Sequence, residues 1–360
     1  MSKPSVLIIG GGVFGTSTAY HLAQRGYTNV TVVDRFAPPS RDSAGTDLNK
    51  VIRADYPNPY YAKLGLETLS VWKDPESLFK GLYRETGWIM GGHQETNQWL
   101  ENAKILADKT GREGVEYLSK EQMKKRWPAL TGDFPDWTNL YSPRAGWVPS
   151  GQALLRMAKA AEDMGVRYIT GASGQIKTLV YDQDNTCKGA VAVNGQYHSA
   201  DKIIVSAGAG LPALLKGART DVKAETSVIC VIQLEPHEIE KYNGIPIIDD
   251  FEQGKDGMAT DLNFRICPYP NTGNLIIATA GSNHGFKFLP VIGKYVADLV
   301  EDKLDAGLKD LWKWKFGEKP ADFQDPHPYP RRDLEELTGW KGRNAPAGGK
   351  LPWTWSRSRI

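Results

Sequence analysis

Three groups of residues in this 360-residue chain have types and spacings suited to chemistry. The first is the glycine series of "IIGGGVFGTSTAYHLAQRGYTNVTVVD", Ile8 to Asp34. Here Gly10 permits a tight turn, Gly12 lets backbone N–H groups approach a pyrophosphate, and Gly15 lets a helix press against a sheet. Asp34 lies 19 positions beyond Gly15, at the end of a second apolar run. A carboxylate there accepts hydrogen bonds from an unphosphorylated adenosine ribose. The glycine turn alone does not separate FAD from NAD. The second group is "GSNHGFKFLP", in which a turn after an apolar strand, opening a helix at Pro290, presents N–H groups to an anion and carries Lys287 toward it. His284 in that turn reads as a hydrogen-bonded turn residue rather than an acid or base. The third is "KVIRADY", whose Arg53 carries a planar, permanently charged guanidinium.

These residues need a scaffold, and the hydrophobic pattern supplies pieces of one α/β domain. Val6 to Ile9 reads as a buried strand, Phe14 to Arg25 as a helix and Val30 to Val33 as the next strand. "PSGQALLRMAKAAEDMGVRYITG" repeats helix, turn and strand from Pro149 to Gly171. "DKIIVSAGAG", Asp201 to Gly210, is another apolar strand running into glycines. The expected nucleotide-binding domain is therefore discontinuous, over residues 1–59, 148–222 and 265–310. A substrate domain takes residues 60–147 and 223–264, with a strand at Val228 to Leu234, and residues 311–360 form an irregular tail. Tyr60, Tyr61 and Trp88 read as core aromatics.

Composition narrows the function. A formal charge of +2 and the lack of a Lys/Arg block with interleaved aromatics argue against nucleic acid and anionic membrane as partners. Cys187, Cys230 and Cys267 have neither metal nor disulfide spacing, and the six histidines have no ligand-like spacing, so no metal is expected. No apolar run approaches the ~20 residues needed to span a bilayer, and no signal-peptide core follows "MSKPS". An intracellular chain is expected. Ser358-Arg359-Ile360 reads as a peroxisomal address with isoleucine where leucine is usual; otherwise the chain would be cytoplasmic.

"SAGTDLNKVIRADYPNPYYAKL", Ser43 to Leu64, and "NLIIATAGSNHGFKFLPVIGKYVADLV", Asn274 to Val300, resemble fungal amadoriases (fructosyl amino acid oxidases), saccharopine oxidases and monomeric sarcosine oxidases. The resemblance runs through most of residues 5–310. It implies a Rossmann-like FAD-binding domain of the glutathione-reductase/D-amino-acid-oxidase type within an α/β fold, joined to a shortened α+β substrate domain. The implied cofactor is non-covalent FAD. Gly10, Gly12, Val13, Phe14, Gly15, Asp34, Arg35, Ser43, Ala44, Asn49, Lys50, Ala207, Gly208, Gly281, Asn283, His284, Gly285, Phe286 and Lys287 would lie near it. In the sarcosine-oxidase branch the residues matching Arg53 and Lys287 grip a substrate carboxylate. With Tyr56, Arg53 tilts the reading from sugar-modified amines toward N-alkylated or cyclic amino acids. The chemistry implied is oxidation of a C–N bond to an imine, with O2 as acceptor and H2O2 as product, by a monomer or homodimer.

The chain departs from the family pattern after "IPIIDDFEQG", where several strands are missing before "DLNFRICPYP". In relatives that segment holds the lysine that activates oxygen and the cysteine that anchors flavin. Lys50 is the candidate replacement for the former, and Cys267 the only cysteine near the place of the latter. Two alternatives stand beside the oxidase: an FAD-binding relative with impaired turnover, and an NAD-dependent dehydrogenase, which would leave "GSNHGFKFLP" and "SAGTDLNK" without a role.

Overall fold

The computed structural model describes residues 3–92, 97–132, 134, 137–215, 218, 221–223, 232–250, 258–259, 261–282 and 284–315. Its centre is a six-stranded sheet of order β17-β18-β13-β1-β2-β9, made of β1 (Val6–Ile9), β2 (Val30–Val33), β9 (Arg167–Ile169), β13 (Lys202–Val205), β17 (Arg265–Pro268) and β18 (Leu275–Thr279). All pairings are parallel except the edge pair of β17 with β18. β1, β2 and β18 are buried at every position, the mark of strands covered on both faces.

Helices cover one face: α1 (Val13–Gln24), α5 (Ser150–Asp163) and α8 (Ile292–Val300). The approach of α1 to α8 is close enough that a Cβ on Gly293 would sit 2.0 Å from the Ser17 carbonyl oxygen. Ser17 Oγ donates to the Leu289 carbonyl at 2.7 Å and accepts from the Gly293 N–H at 2.9 Å. The other face carries a three-stranded antiparallel sheet of β10 (Ile176–Tyr181), β11 (Cys187–Ala192) and β12 (Tyr197–Ser199), which shares a core with Leu7, Val205, Cys267 and Ile277.

The remaining material forms smaller sheets. β3 (Lys50–Ile52) and β4 (Arg84–Glu85) flank β8 (Gly146–Val148), and β5 (Trp88–Gly92), β6 (Glu116–Leu118), β7 (Thr138–Ser142) and β15 (Ile247–Asp250) make a sheet of order β15-β5-β7-β6. β14 (Val222–Lys223) pairs with β16 (Met258–Ala259). Around them lie α2 (Pro59–Lys73), α3 (Asn97–Lys109), α4 (Lys120–Arg126), α6 (Leu211–Leu214), α7 (Pro236–Tyr242) and α9 (Ala306–Leu311). Asn58 caps α2 by accepting from Tyr60 N–H, and Pro59 pre-sets the first turn.

The α/β class with a Rossmann-like sheet is as expected. The first helix starts one residue earlier than its apolar pattern suggests, and the helix expected at Pro290 starts at Ile292, after a single 3-10 turn over Phe286–Phe288. Cys230, Asn283, most of the strand expected at Val228 to Leu234, "EQGKDG", residues 316–360 of the tail and the terminal tripeptide lie outside the described residues; residues 232–234 are not strand.

Candidate cofactor cradle and buried cationic site

Parallel strands end on one side of a sheet, so the segments after β1, β2, β13 and β18 converge: Gly10 to Gly12, Asp34, Ser206 to Gly208, and Ala280 to Ser282 with His284 and Gly285. Gly10 has φ +107°, and a Cβ there would meet the Ser206 carbonyl oxygen at 2.4 Å. A Cβ on Gly15 would lie 1.8 Å from the Gly10 oxygen, so only glycine lets α1 rise from this turn. No side chain caps α1 at Gly12, which leaves its first N–H groups without a capping side chain among the described residues. Ser43 Oγ would be 2.9 Å from a Gly12 Cβ, and Gly45 packs toward Val13.

The Asp34 carboxylate accepts from Gly11 N–H at 2.7 Å through one oxygen, and from Phe36 N–H and Ser40 Oγ, both at 3.0 Å, through the other. It ties the end of β2 to the glycine turn and keeps one acceptor site, on Oδ2, uncommitted among the described residues. An uncapped helix N-terminus, glycines that no Cβ could replace and this oriented carboxylate fit an adenine dinucleotide. Of the other residues expected here, Ala44 and Asn49 are exposed in the loop before β3, and Arg35 pairs with Asp42 at 3.2 Å on the surface. Ala207 and Gly208 follow β13, with Gly208 at φ +54°.

The turn after β18 is backbone-strained. Ala280 and Ser282 hold φ values of +61° and +43°, left-handed conformations that are costly for residues with a Cβ. Phe14 wedges the turn against α1, its ring 3.2 Å from where a Gly285 Cβ would be. It also meets Phe264 edge-on at 5.4 Å, and Phe264 stacks on His284 at 4.8 Å. A continuous run of rings thus joins the dinucleotide cradle to the Lys287 turn. From the other side α2 holds the same turn, because Thr68 Oγ1 and Trp72 Nε1 both donate to the Lys287 carbonyl, at 2.8 and 2.9 Å.

Lys287 is 4% exposed, and its Nζ donates to the His284 carbonyl at 2.9 Å while lying 5.7 Å from the Tyr56 ring centre. Arg53 is 8% exposed, at the end of β3. Its guanidinium lies 4.3 Å from the Tyr56 ring, 4.6 Å from Trp88 and 5.4 Å from Trp99, and donates to the main-chain oxygen of Asp55. Among the described residues it has no carboxylate partner, although a buried charge ordinarily requires one. The hydroxyl of Tyr56 and the indole N–H of Trp88 are buried beside it without a hydrogen-bond partner among the described residues. Burial raises the Tyr56 phenol well above its ordinary value, and the nearby Arg53 charge offsets only part of this.

His284 Nε2 lies 3.0 Å from the Leu262 carbonyl, so that nitrogen carries the proton and buried Nδ1 is left an acceptor without a partner among the described residues. Burial first, and then the Lys287 and Arg53 charges, hold this imidazole well below its usual pKa and therefore neutral. Arg53, Lys287, Tyr56 and His284 form one cluster. Lys50, three residues before Arg53, is ion-paired to Asp47 and begins β3.

Residues 5–260 match the family described as "DAO: FAD dependent oxidoreductase". The chain belongs to that family. FAD is accordingly its cofactor, which settles the choice the glycine turn leaves open. This FAD-dependent oxidoreductase is 24% identical to L-saccharopine oxidase of Schizosaccharomyces pombe over 417 aligned residues, covering 89% of this chain and 95% of the relative. Since 89% of 360 is about 320, roughly a hundred of those positions have no residue here. Monomeric sarcosine oxidase of a Bacillus species is 25% identical, over 72% of this chain and 60% of its own length. The fold matches the solved fructosamine oxidase Amadoriase II of Aspergillus fumigatus in complex with FSA, with a TM-score of 0.76 at 27% identity, over 91% of this chain and 93% of that one. The expected class, an FAD-dependent amine or amino-acid oxidase, is borne out by these named oxidases.

Sequence reasoning set Trp88 aside as core and did not single out Trp99, Phe264, Asp55 or Arg112. A signal existed for Asp55, an acidic residue two positions from Arg53. None existed for Trp99 or Phe264, which reach the site from α3 and from the approach to β17. No helix among the described residues is long and apolar enough to cross a membrane.

Proposed function

We propose that the chain oxidises the C–N bond of a secondary amine or N-substituted amino acid bearing a free carboxylate, the chemistry of sarcosine and saccharopine oxidases, to an imine that water hydrolyses, with O2 as acceptor and H2O2 as product. The observation that carries this reading is Arg53: a buried guanidinium ringed by Tyr56, Trp88 and Trp99, without a carboxylate partner among the described residues, in one aromatic cluster with Lys287. A carboxylate entering this cluster meets a bidentate fork and gains from the low local dielectric. FAD, when bound, supplies the acceptor for the hydride equivalent that leaves the carbon beside a neutral amine nitrogen.

The protein's own part is orientation. Arg53 and Lys287 hold the carboxylate end, the rings of Tyr56, Tyr61, Phe264 and Phe288 exclude water, and His284 remains neutral, so it adds no charge against the amine. The dinucleotide is held by Gly10, Gly12, Gly15, Asp34, Ser43 and Gly208. Non-covalent attachment is supported by Cys267, which is 6% exposed, lies in the sheet core with Leu275 and Trp314, and has its thiol pushed up to about 12 by burial. Lys50, at the start of β3 and ion-paired to Asp47, stands as the oxygen-activating candidate.

The test is a visible spectrum before and after acid precipitation, followed by anaerobic titration with N-methylglycine, L-pipecolate, saccharopine and fructosyl glycine and then admission of oxygen. Yellow colour released to the supernatant, bleaching by an amine that bears a carboxylate, and peroxide on aeration are the expected results. Bleaching without oxygen uptake would remove O2 as the acceptor; failure to take up FAD would remove the reading altogether.

A further inference from the structure

Among the described residues Arg53 has no carboxylate partner, even though a carboxylate lies two residues away. Asp55 is 1% exposed and follows β3 in the same short segment as Arg53. The two already touch, since Arg53 Nη1 donates to the main-chain oxygen of Asp55. The Asp55 carboxylate is instead taken by Arg112, whose Nη2 reaches its Oδ1 at 2.5 Å from the turn after α3. The same guanidinium donates through Nη1 to the Ala54 carbonyl at 3.0 Å and lies 3.4 Å from Ser142 Oγ. Asp55 Oδ2 remains buried without a hydrogen-bond partner among the described residues.

We propose that Arg112 is a positioning residue that keeps Arg53 open to the ligand: by holding Asp55, it prevents a pair between Arg53 and Asp55 that would neutralise the carboxylate-binding cation. This rests on the proposed carboxylate-bearing substrate. Arg112 and Asp55 cancel, so the segment retains the Arg53 charge for an incoming anion. Without Arg112, the buried Asp55 carboxylate would face the cost of an unpaired charge and turn toward Arg53, whose guanidinium already reaches the Asp55 main-chain oxygen, in competition with the ligand. The Arg112 contact to the Ala54 carbonyl also fixes the peptide between Arg53 and Tyr56.

The test is calorimetric and spectral titration of the FAD-loaded protein with acetate and benzoate, with benzamide as the uncharged control, in wild type, R112M, R112Q and D55N/R112M. R112M should weaken both carboxylates by roughly tenfold to a hundredfold, the worth of a competing charged hydrogen bond, and leave benzamide unchanged. D55N/R112M, which removes the competing charge as well, should return carboxylate affinity to within about threefold of wild type. Should R112M fail to fold, R112Q keeps a donor for the Ala54 carbonyl without the charge and reads the same contrast. Carboxylate affinity unchanged in R112M and R112Q, or lost in R112M and not recovered in the double variant, overturns the proposal. A wild type that binds neither carboxylate overturns the substrate reading beneath it, and the proposal falls with it.

Discussion

Two arginines are buried among the described residues, and they are treated in opposite ways. Arg265, on β17, is fully buried and matched: Nε and Nη2 bind the two oxygens of Asp221 at 2.6 and 2.7 Å, and Nη1 binds Asp261 at 2.9 Å. Lys315 completes the set by reaching Asp261 at 2.5 Å. Arg53 is almost as buried, yet it is surrounded by rings and a main-chain oxygen, and its sequence neighbour Asp55 is committed to Arg112. The first arrangement is closed and joins Asp221, the edge strand and the segment after α9. The second is electrostatically open, and in a protein an open buried charge marks a place for a ligand.

The largest effect should come from breaking the closed corner. Arg265→Met leaves Asp221 and Asp261 buried without their main partner and should cost about 3–5 kcal/mol of stability, read as a fall in the denaturant midpoint. The same substitution at Arg53 removes a charge that leaves no carboxylate abandoned among the described residues. Its stability should change by no more than about 1 kcal/mol, while acetate binding to the FAD-loaded protein falls by about a hundredfold. If Arg53→Met destabilises as much as Arg265→Met, the contrast between the two corners is wrong.

A third effect is smaller and depends on pH. His284, beside Arg53, titrates well below its ordinary value of 6.5 in the folded chain, chiefly through burial. Below pH 6.5 the unfolded chain therefore binds a proton that the native state refuses. Stability should fall as pH drops through that window, by up to about 1.4 kcal/mol per pH unit for this group. His21, lowered by burial in the same direction, adds to the slope. His284→Asn should make the loss of stability between pH 6.5 and 5 shallower, as measured by urea titration at each pH. The smallest effect belongs to Cys267, two residues from Arg265 in the closed corner: Cys267→Ser should leave the FAD content of the purified protein unchanged. Loss of bound flavin in that variant would return the covalent anchor to consideration.

How much of this was legible before folding depends on the reach of each constraint. The glycine turn was, because the geometry that excludes a Cβ at Gly10 and Gly15 is set within a few residues and a strand and a helix announce themselves by their periods. Arg53 and Lys287 were legible as residue types in resembling stretches. Their environment was not: Trp88 read as an ordinary core aromatic, since nothing in its own stretch says that a guanidinium lies against its ring. Asp34 was read as a ribose ligand, and its bond to the Gly11 N–H, which locks the cradle, came only with the packing of β1 against β2.

The sequence by itself determined the cradle, the turn after β18 and the residue types at the cationic site, because each is written in short-range spacing and pattern. Only the tertiary structure decided which charges cancel. Arg112 lies 57 residues from Asp55, and Asp221 lies 44 from Arg265. Whether a buried carboxylate meets one guanidinium or another is a matter of which elements pack together in three dimensions. Local spacing carries no record of that choice, and it is the choice that leaves Arg53 open.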